Sequence, residues 1–295
     1  MNDVKKATLL RVLSAAIALP LYVFTIVTDL AQSLPILACS LIITLACLWE
    51  YYSITDRGEE GRAFIIPGMI AAVAVNIVMY LFAFGRILGF SRYIAPFDAR
   101  IIMGGVALFL SIIIALQLFT RPLRGASYSL GVTLFGLVFI VFSFSHIILL
   151  KSLVNGVYYV IILNIAVMLN DTFAYFGGVI FGRHKTGFPV SPNKSWEGYF
   201  SGLLFTILGM IITNEVYAVF YGVQLFGMVE AVLLGIALSV LGNLGDLVES
   251  AVKRDGSIKD SGSIIPGHGG MWDVFDAMIF SLPLFYYYLV LKGVA

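Results

Sequence analysis

Asp246, Glu249 and Lys253 step along the chain by three and then four residues. On a helix that spacing puts all three on one face, with Asn243 and Ser250 beside it. Asp273 and Asp276 are again three apart and point one way if helical. Between the two sets lies a glycine-rich polar stretch that begins KRDGSIKDSG and ends PGHGG. Carboxylates that converge in a poorly solvated place repel unless a cation intervenes. Oxygen donors without cysteine or clustered histidine suit a hard ion, Mg²⁺ above all. Asp246, Asp273 and Asp276 are therefore the candidate metal ligands. Mg²⁺ held by a few carboxylates completes its shell with water and phosphate oxygens, which points to a phosphate-bearing substrate. Simpler roles stay open: a Glu249–Lys253 pair can ease a helix into water, and acidic residues favour a helix N-terminus through its dipole.

Two loops supply the opposite charge. PGHGG (266–270) offers glycine N–H groups ahead of a helix N-terminus, an anion cradle in form. Lys253, Arg254 and Lys259 could clamp a polyphosphate. The stretch GRHKTGFPVSPNKSWEG (182–198) adds Arg183, Lys185, Lys194 and Glu197; a basic loop facing anionic lipid is the alternative. His268, in its glycine-rich setting, suits a phosphate hydrogen bond better than a metal, whereas His146 and His184 read as structural or surface residues. Asn170 and Asp171 fall inside an apolar run, where an aspartate at the centre of a spanning helix costs about 3 kcal/mol. They must face a partner, an ion or water.

The elements that position these groups are membrane helices. The chain is 60% hydrophobic and only 12% charged, with a mean hydropathy of +0.98, against about 25% charged residues in soluble domains. Nine stretches are long and apolar enough to span a bilayer: 9–28, 34–53, 63–84, 101–120, 128–150, 157–181, 198–219, 227–249 and 272–291. The expectation is an all-α polytopic membrane bundle. The first stretch, preceded by Lys5 and Lys6, is too long for a signal-peptide core and reads as a retained helix. With the N-terminus in the cytoplasm, only Arg86, Arg92, Arg100, Lys151 and Lys292 of the 18 Lys and Arg fall outside, as the positive-inside rule favours. Three of those five crowd the loop at 85–100. Cys39 and Cys47 suggest neither a disulfide framework nor a zinc site. With no basic stripe, nucleic acid is not an expected partner. Residues 1–156, five spans, read as scaffold. Residues 157–295, four spans with two polar cytoplasmic loops, carry the chemistry.

The stretch ESAVKRDGSIKDSGSIIPGHGGMWDVFD (249–276) resembles the signature of the phosphatidate cytidylyltransferases, or CDP-diacylglycerol synthases. SPNKSWEG (191–198) and NDTFAYFGG (170–178) resemble two further segments of that family. The resemblance covers 165–280 and implies a plasma-membrane enzyme that transfers the cytidylyl group of CTP to phosphatidic acid. It implies Mg²⁺ and a neighbouring monovalent cation such as K⁺. By position, Asp246, Asp273 and Asp276 would hold the metal. Lys194, Lys253, Arg254, Lys259 and His268 would touch phosphate or nucleotide. Asp171, Ser191, Glu197 and Glu249 would complete the polar cavity. Val274 and Ala277 depart from the family's usual Arg and small hydroxyl residue, and Asn193 from its frequent Lys; the missing guanidinium implies either reduced activity or compensation by Arg254. CTP, phosphatidic acid and membrane lipid are the expected partners, and a homodimer stays open. The alternatives are a CTP-dependent polyprenol or phytol kinase and, in another class, a secondary transporter using Asp171 and Asp246. The transporter lacks the expected inverted repeat.

Overall fold

The computed structural model of the 295-residue chain describes residues 2–85 and 99–294. The expected loop at 85–100, with its three arginines, falls almost wholly outside them. The helices are α1 (Asn2–Val27), α2 (Leu30–Ile54), α3 (Ile65–Phe84), α4 (Ala99–Thr120), α5 (Ala126–Ser152), α6 (Gly156–Phe181), α7 (Trp196–Tyr221), α8 (Met228–Asp255) and α9 (Met271–Leu291). Among the described residues, α2 through α9 hold eight segments long and apolar enough to cross a membrane, and α1 adds the apolar stretch Val12–Val27. The protein is an integral membrane protein, as the composition required. Among the described residues the only β pairing is two isolated bridges, Lys185 with Ser195 and Ile265 with Gly269. Helix α8 outruns its expected end at 249, because Glu249, Lys253 and Arg254 ride on as two more turns.

The chain forms two compact units: residues 1–153 with 260–274, and residues 154–259 with 275–295. Helix α9 contributes its first residues to one and the remainder to the other. The first unit is held by buried polar contacts, since apolar burial gives helices little reason to associate in lipid. Ser40 Oγ donates to Asn76 Oδ1 at 2.6 Å, and Asn76 Nδ2 to Thr44 Oγ1 at 3.1 Å, between α2 and α3. Tyr52 Oη donates to the Thr133 carbonyl at 3.0 Å. Gly136 lets α5 lie under Leu48, Tyr51 and Tyr52, and a π-helical stretch, Gly136–Phe142, follows from it. Lys151 is buried and donates to the carbonyls of Thr25 and Thr28 at the end of α1, with Asp29 3.6 Å away. Arg121 donates to the carbonyls of Arg62 and Ala63 and covers the Phe64 ring at 3.8 Å. Burial pulls its pKa below the ordinary arginine value.

In the second unit, α7 carries Gly198, Gly202, Thr206 and Gly209 on one stripe facing α6. A methyl at Gly202 would stand 2.8 Å from the Asn170 carbonyl. Small residues at this spacing let backbones approach, as in many membrane helix pairs. Gly245 does the same for α8 and α9: a methyl there would stand 2.5 Å from the Asp276 carbonyl and 3.0 Å from Ala277 Cα. Ala277 is itself buried in this contact. At the far end of these helices Glu230 takes hydrogen bonds from Lys292 at 2.5 Å and from Tyr288.

Candidate active site

Within the second unit the close approach at Gly245 brings two acidic helix faces together. One carboxylate oxygen from each of Asp246, Glu249 and Asp276 lies within 4.8 Å of the others. Among the described residues this is the one group of three or more potential metal donors that converges. Glu249 is 1% exposed and Asp276 8%. Asp276 Oδ1 accepts from the Ala277 N–H at 2.6 Å, and Ser250 Oγ donates to Asp246 Oδ1 at 3.4 Å. All three donors are hard oxygens, the set that Mg²⁺ prefers.

Two lysines attend the group. Lys194, from the loop between α6 and α7, forms an ion pair with Asp246. Lys253 lies one turn beyond Glu249 and pairs with it at 2.6 Å. Burial lowers the Lys194 pKa from its ordinary value, against the opposing pull of Asp276, Asp171 and Glu249. The loop is shaped by its own hydrogen bonds. Lys194 N donates to the Ser191 carbonyl at 3.3 Å, and Ser195 Oγ caps α7 by accepting from Gly198 N at 3.3 Å. Glu197 is turned to His184, accepting from its backbone N–H at 3.2 Å and meeting its Nδ1 at 2.5 Å. His184, expected to be a bystander, is thus tied to a candidate substrate-binding residue.

Asn170, fully buried, accepts from Ser239 Oγ at 2.7 Å and donates to Asp171 Oδ1 and Asn243 Oδ1, both at 3.3 Å. It orients Asp171 and knits α6 to α8. Arg254 Nη1 donates to the Ile258 carbonyl at 2.9 Å, turning back over its own loop. Lys259 is exposed.

Asp273 and His268 lie in the first unit. Asp273 Oδ2 accepts three hydrogen bonds: from Ser261 N at 2.8 Å, Ser261 Oγ at 2.9 Å and Gly270 N at 2.8 Å. His268 Nδ1 meets Ser14 Oγ of α1 at 3.2 Å. Backbone N–H groups of the glycine-rich turn find partners within the protein. The N–H groups of His268 and Gly269 go to the Ile265 carbonyl, that of Gly270 to Asp273, and those of Met271 and Trp272 to Glu50, each of these last two at 2.8 Å. Glu50 was missed from the sequence, although it is the one charged residue in the apolar run of α2 and such residues are costly there.

The sequence pattern that defines the Cytidylyltransferase family matches residues 9–292. The chain belongs to that family. A phosphatidate cytidylyltransferase of Staphylococcus epidermidis is 42% identical over 130 residues, 44% of this chain and 48% of the relative. One from Staphylococcus aureus is 43% identical over 132 residues, 44% of this chain and 48% of that protein. The matched stretch thus spans about half the length of the curated relatives. The resemblance first carried by 170–178, 191–198 and 249–276 holds at the level of the family.

Proposed function

We propose that this protein transfers the cytidylyl group of CTP to phosphatidic acid, giving CDP-diacylglycerol and pyrophosphate. The observation that carries the reading is the convergence of Asp246, Glu249 and Asp276 beside Lys194 and Lys253. A divalent cation, Mg²⁺ by the hardness of these donors, would be held there and would neutralise charge on the reacting phosphates. The names of the staphylococcal relatives support phosphatidate as the acceptor.

The lipid phosphate, with a second pKa of about 6 as in phosphoryl groups generally, is already nucleophilic near neutral pH. One of its oxygens attacks the α-phosphorus of CTP. The bond from that phosphorus to the bridging oxygen breaks, and pyrophosphate leaves with the electron pair. No covalent enzyme intermediate is needed, so the protein's part is positioning and charge stabilisation. Lys194 and Lys253 each hold a carboxylate within the group. Exchanging those partners for phosphate oxygens would keep both cations satisfied while the nucleotide is bound. Asp171, held by Asn170, would complete the polar cavity from α6. The charge asymmetry of the loops supports a cytoplasmic N-terminus and a cytoplasmic site, and the plasma membrane is the membrane proposed.

The test is turnover by the purified protein with phosphatidate and CTP labelled in the α-phosphate, with and without Mg²⁺ and K⁺. Label in the lipid and pyrophosphate in solution are the expected products. Release of labelled CDP instead would mark a lipid kinase, and no turnover under any condition would remove the reading.

A further inference from the structure

Glu50 stands four residues from the end of α2 and is 3% exposed. It accepts from Met271 N and Trp272 N at 2.8 Å and from Ser261 Oγ at 3.1 Å. Met271 and Trp272 open α9, and the first N–H groups of a helix have no partner within it. Glu50 supplies that partner and sits at the positive end of the helix dipole. The same Ser261 hydroxyl lies 2.9 Å from Asp273 Oδ2, so the two carboxylates grip one serine from two sides. Two glycines make room. A methyl at Gly262 would stand 2.5 Å from Glu50 Oε1, and one at Gly270 would stand 2.6 Å from both Glu50 oxygens. Beside the carboxylate, the Tyr51 ring meets the wholly buried Trp272 edge-on at 5.5 Å.

We propose that Glu50 is a positioning residue for the reaction, and that with Ser261 and Asp273 it fixes where α9 begins. In this role Asp273 helps to clamp the signature loop through Ser261 and Gly270. Asp276 follows Asp273 by three residues on the same helix, so the onset and rotation of that first turn set where its carboxylate stands. Gly262 and Gly270 of the signature loop leave the room that Glu50 occupies. The catalytic half of the proposal rests on the cytidylyl-transfer reading; the structural half does not.

The experiment uses the full-length protein in lipid nanodiscs, as wild type, Glu50→Ala, Glu50→Gln and Ser261→Ala. Amide hydrogen exchange is followed in peptides covering 260–276, with α7 peptides as the folding control. Glu50→Ala is expected to speed exchange at Met271 and Trp272 at least tenfold with α7 unchanged. Turnover is expected to fall at least tenfold in kcat with KM for CTP within twofold, and Mn²⁺ binding measured by electron paramagnetic resonance is expected to keep its stoichiometry. Glu50→Gln, which keeps one acceptor oxygen, recovers part of both losses, and Ser261→Ala falls between. Unchanged exchange at 271–272 overturns the anchor. Faster exchange with wild-type kcat overturns the positioning role, and loss of Mn²⁺ in Asp273→Asn with normal exchange overturns the clamp. A wild type that makes no CDP-diacylglycerol sinks the cytidylyl-transfer reading alone, and the exchange arm still decides the anchor.

Discussion

Two sets of acidic side chains in this molecule differ in what they face. Asp246 pairs with Lys194 and Glu249 with Lys253, and Asp276, which also accepts from the Ala277 N–H, lies in the field of both lysines. Glu50 and Asp273 have backbone N–H groups and a serine. An ammonium on a flexible stem can move to another anion. A backbone N–H cannot, and a buried donor that loses its acceptor costs about 1–3 kcal/mol. The first set is therefore built to change partners and the second to keep them. Acidity and spacing alone do not separate the two, because Asp273 and Asp276 are three residues apart on one helix and fall on opposite sides of the distinction.

The strongest attempt to break this contrast removes one carboxylate of each kind. Asp276→Asn is expected to lower kcat by roughly 10³-fold and to weaken Mn²⁺ binding, while leaving the protein as stable as the wild type, since like charges then repel less. Asp273→Asn is expected to lower stability by about 1–3 kcal/mol through its lost acceptor, with Mn²⁺ binding intact. Metal binding and thermal unfolding measured on both variants check the pair. Equal metal loss in the two would erase the distinction.

A smaller effect is expected where the backbones touch. Gly245→Ala drives a methyl into the Asp276 carbonyl and Ala277 Cα. The helices must part by some tenths of an ångström, enough to move Asp246 from Asp276. Misplacement of about 1 Å costs up to roughly 10²-fold in rate, so a 10- to 100-fold loss in kcat is expected with the fold retained. Wild-type activity in Gly245→Ala would show that the group tolerates a wider setting.

The lysine side of the contrast is open to pH. Burial lowers the Lys194 pKa, so its charge is lost, as pH rises, earlier than that of an ordinary lysine. If that charge holds nucleotide phosphate, KM for CTP rises on the alkaline limb in the wild type. Lys194→Arg, which stays protonated throughout, moves that limb to higher pH. A limb that does not move assigns it to another group.

The spans were legible because a run of about 20 apolar residues has few other uses. That Asp246 and Glu249 share one helix face was legible too, since a period of 3.6 is local; that Glu249 joins Asp246 and Asp276 in one group was not. Nor was what Asp273 faces. The glycine N–H groups of PGHGG look the same from sequence whether their anion is a phosphate or a side chain some 220 residues away. Glu50 carried a signal, a charge within an apolar run, but it lies near the end of α2, where a glutamate can reach water. Its partners belong to a loop that no local pattern connects to α2. The role of Ala277 was hidden for the same reason: it departs from the family's usual residue, and only the packing against Gly242 and Gly245 shows what a small side chain does there.

The smallest expected effect tests whether polar groups in the first unit matter outside the clamp. Ser40 donates to Asn76 at 2.6 Å, and both are fully buried between α2 and α3. Buried hydrogen bonds between membrane helices average only about 0.6 kcal/mol, because the separated helices find other partners for the same groups. Asn76 keeps Thr44 Oγ1 and the Ala72 carbonyl when Ser40 is lost. Ser40→Ala is therefore expected to cost about 0.6 kcal/mol in reversible unfolding in mixed detergent and to leave kcat unchanged. A loss in kcat without a matching loss in stability would mean that α2 transmits strain along its length to Glu50, and the anchor would then extend well beyond the helix end at which it was found.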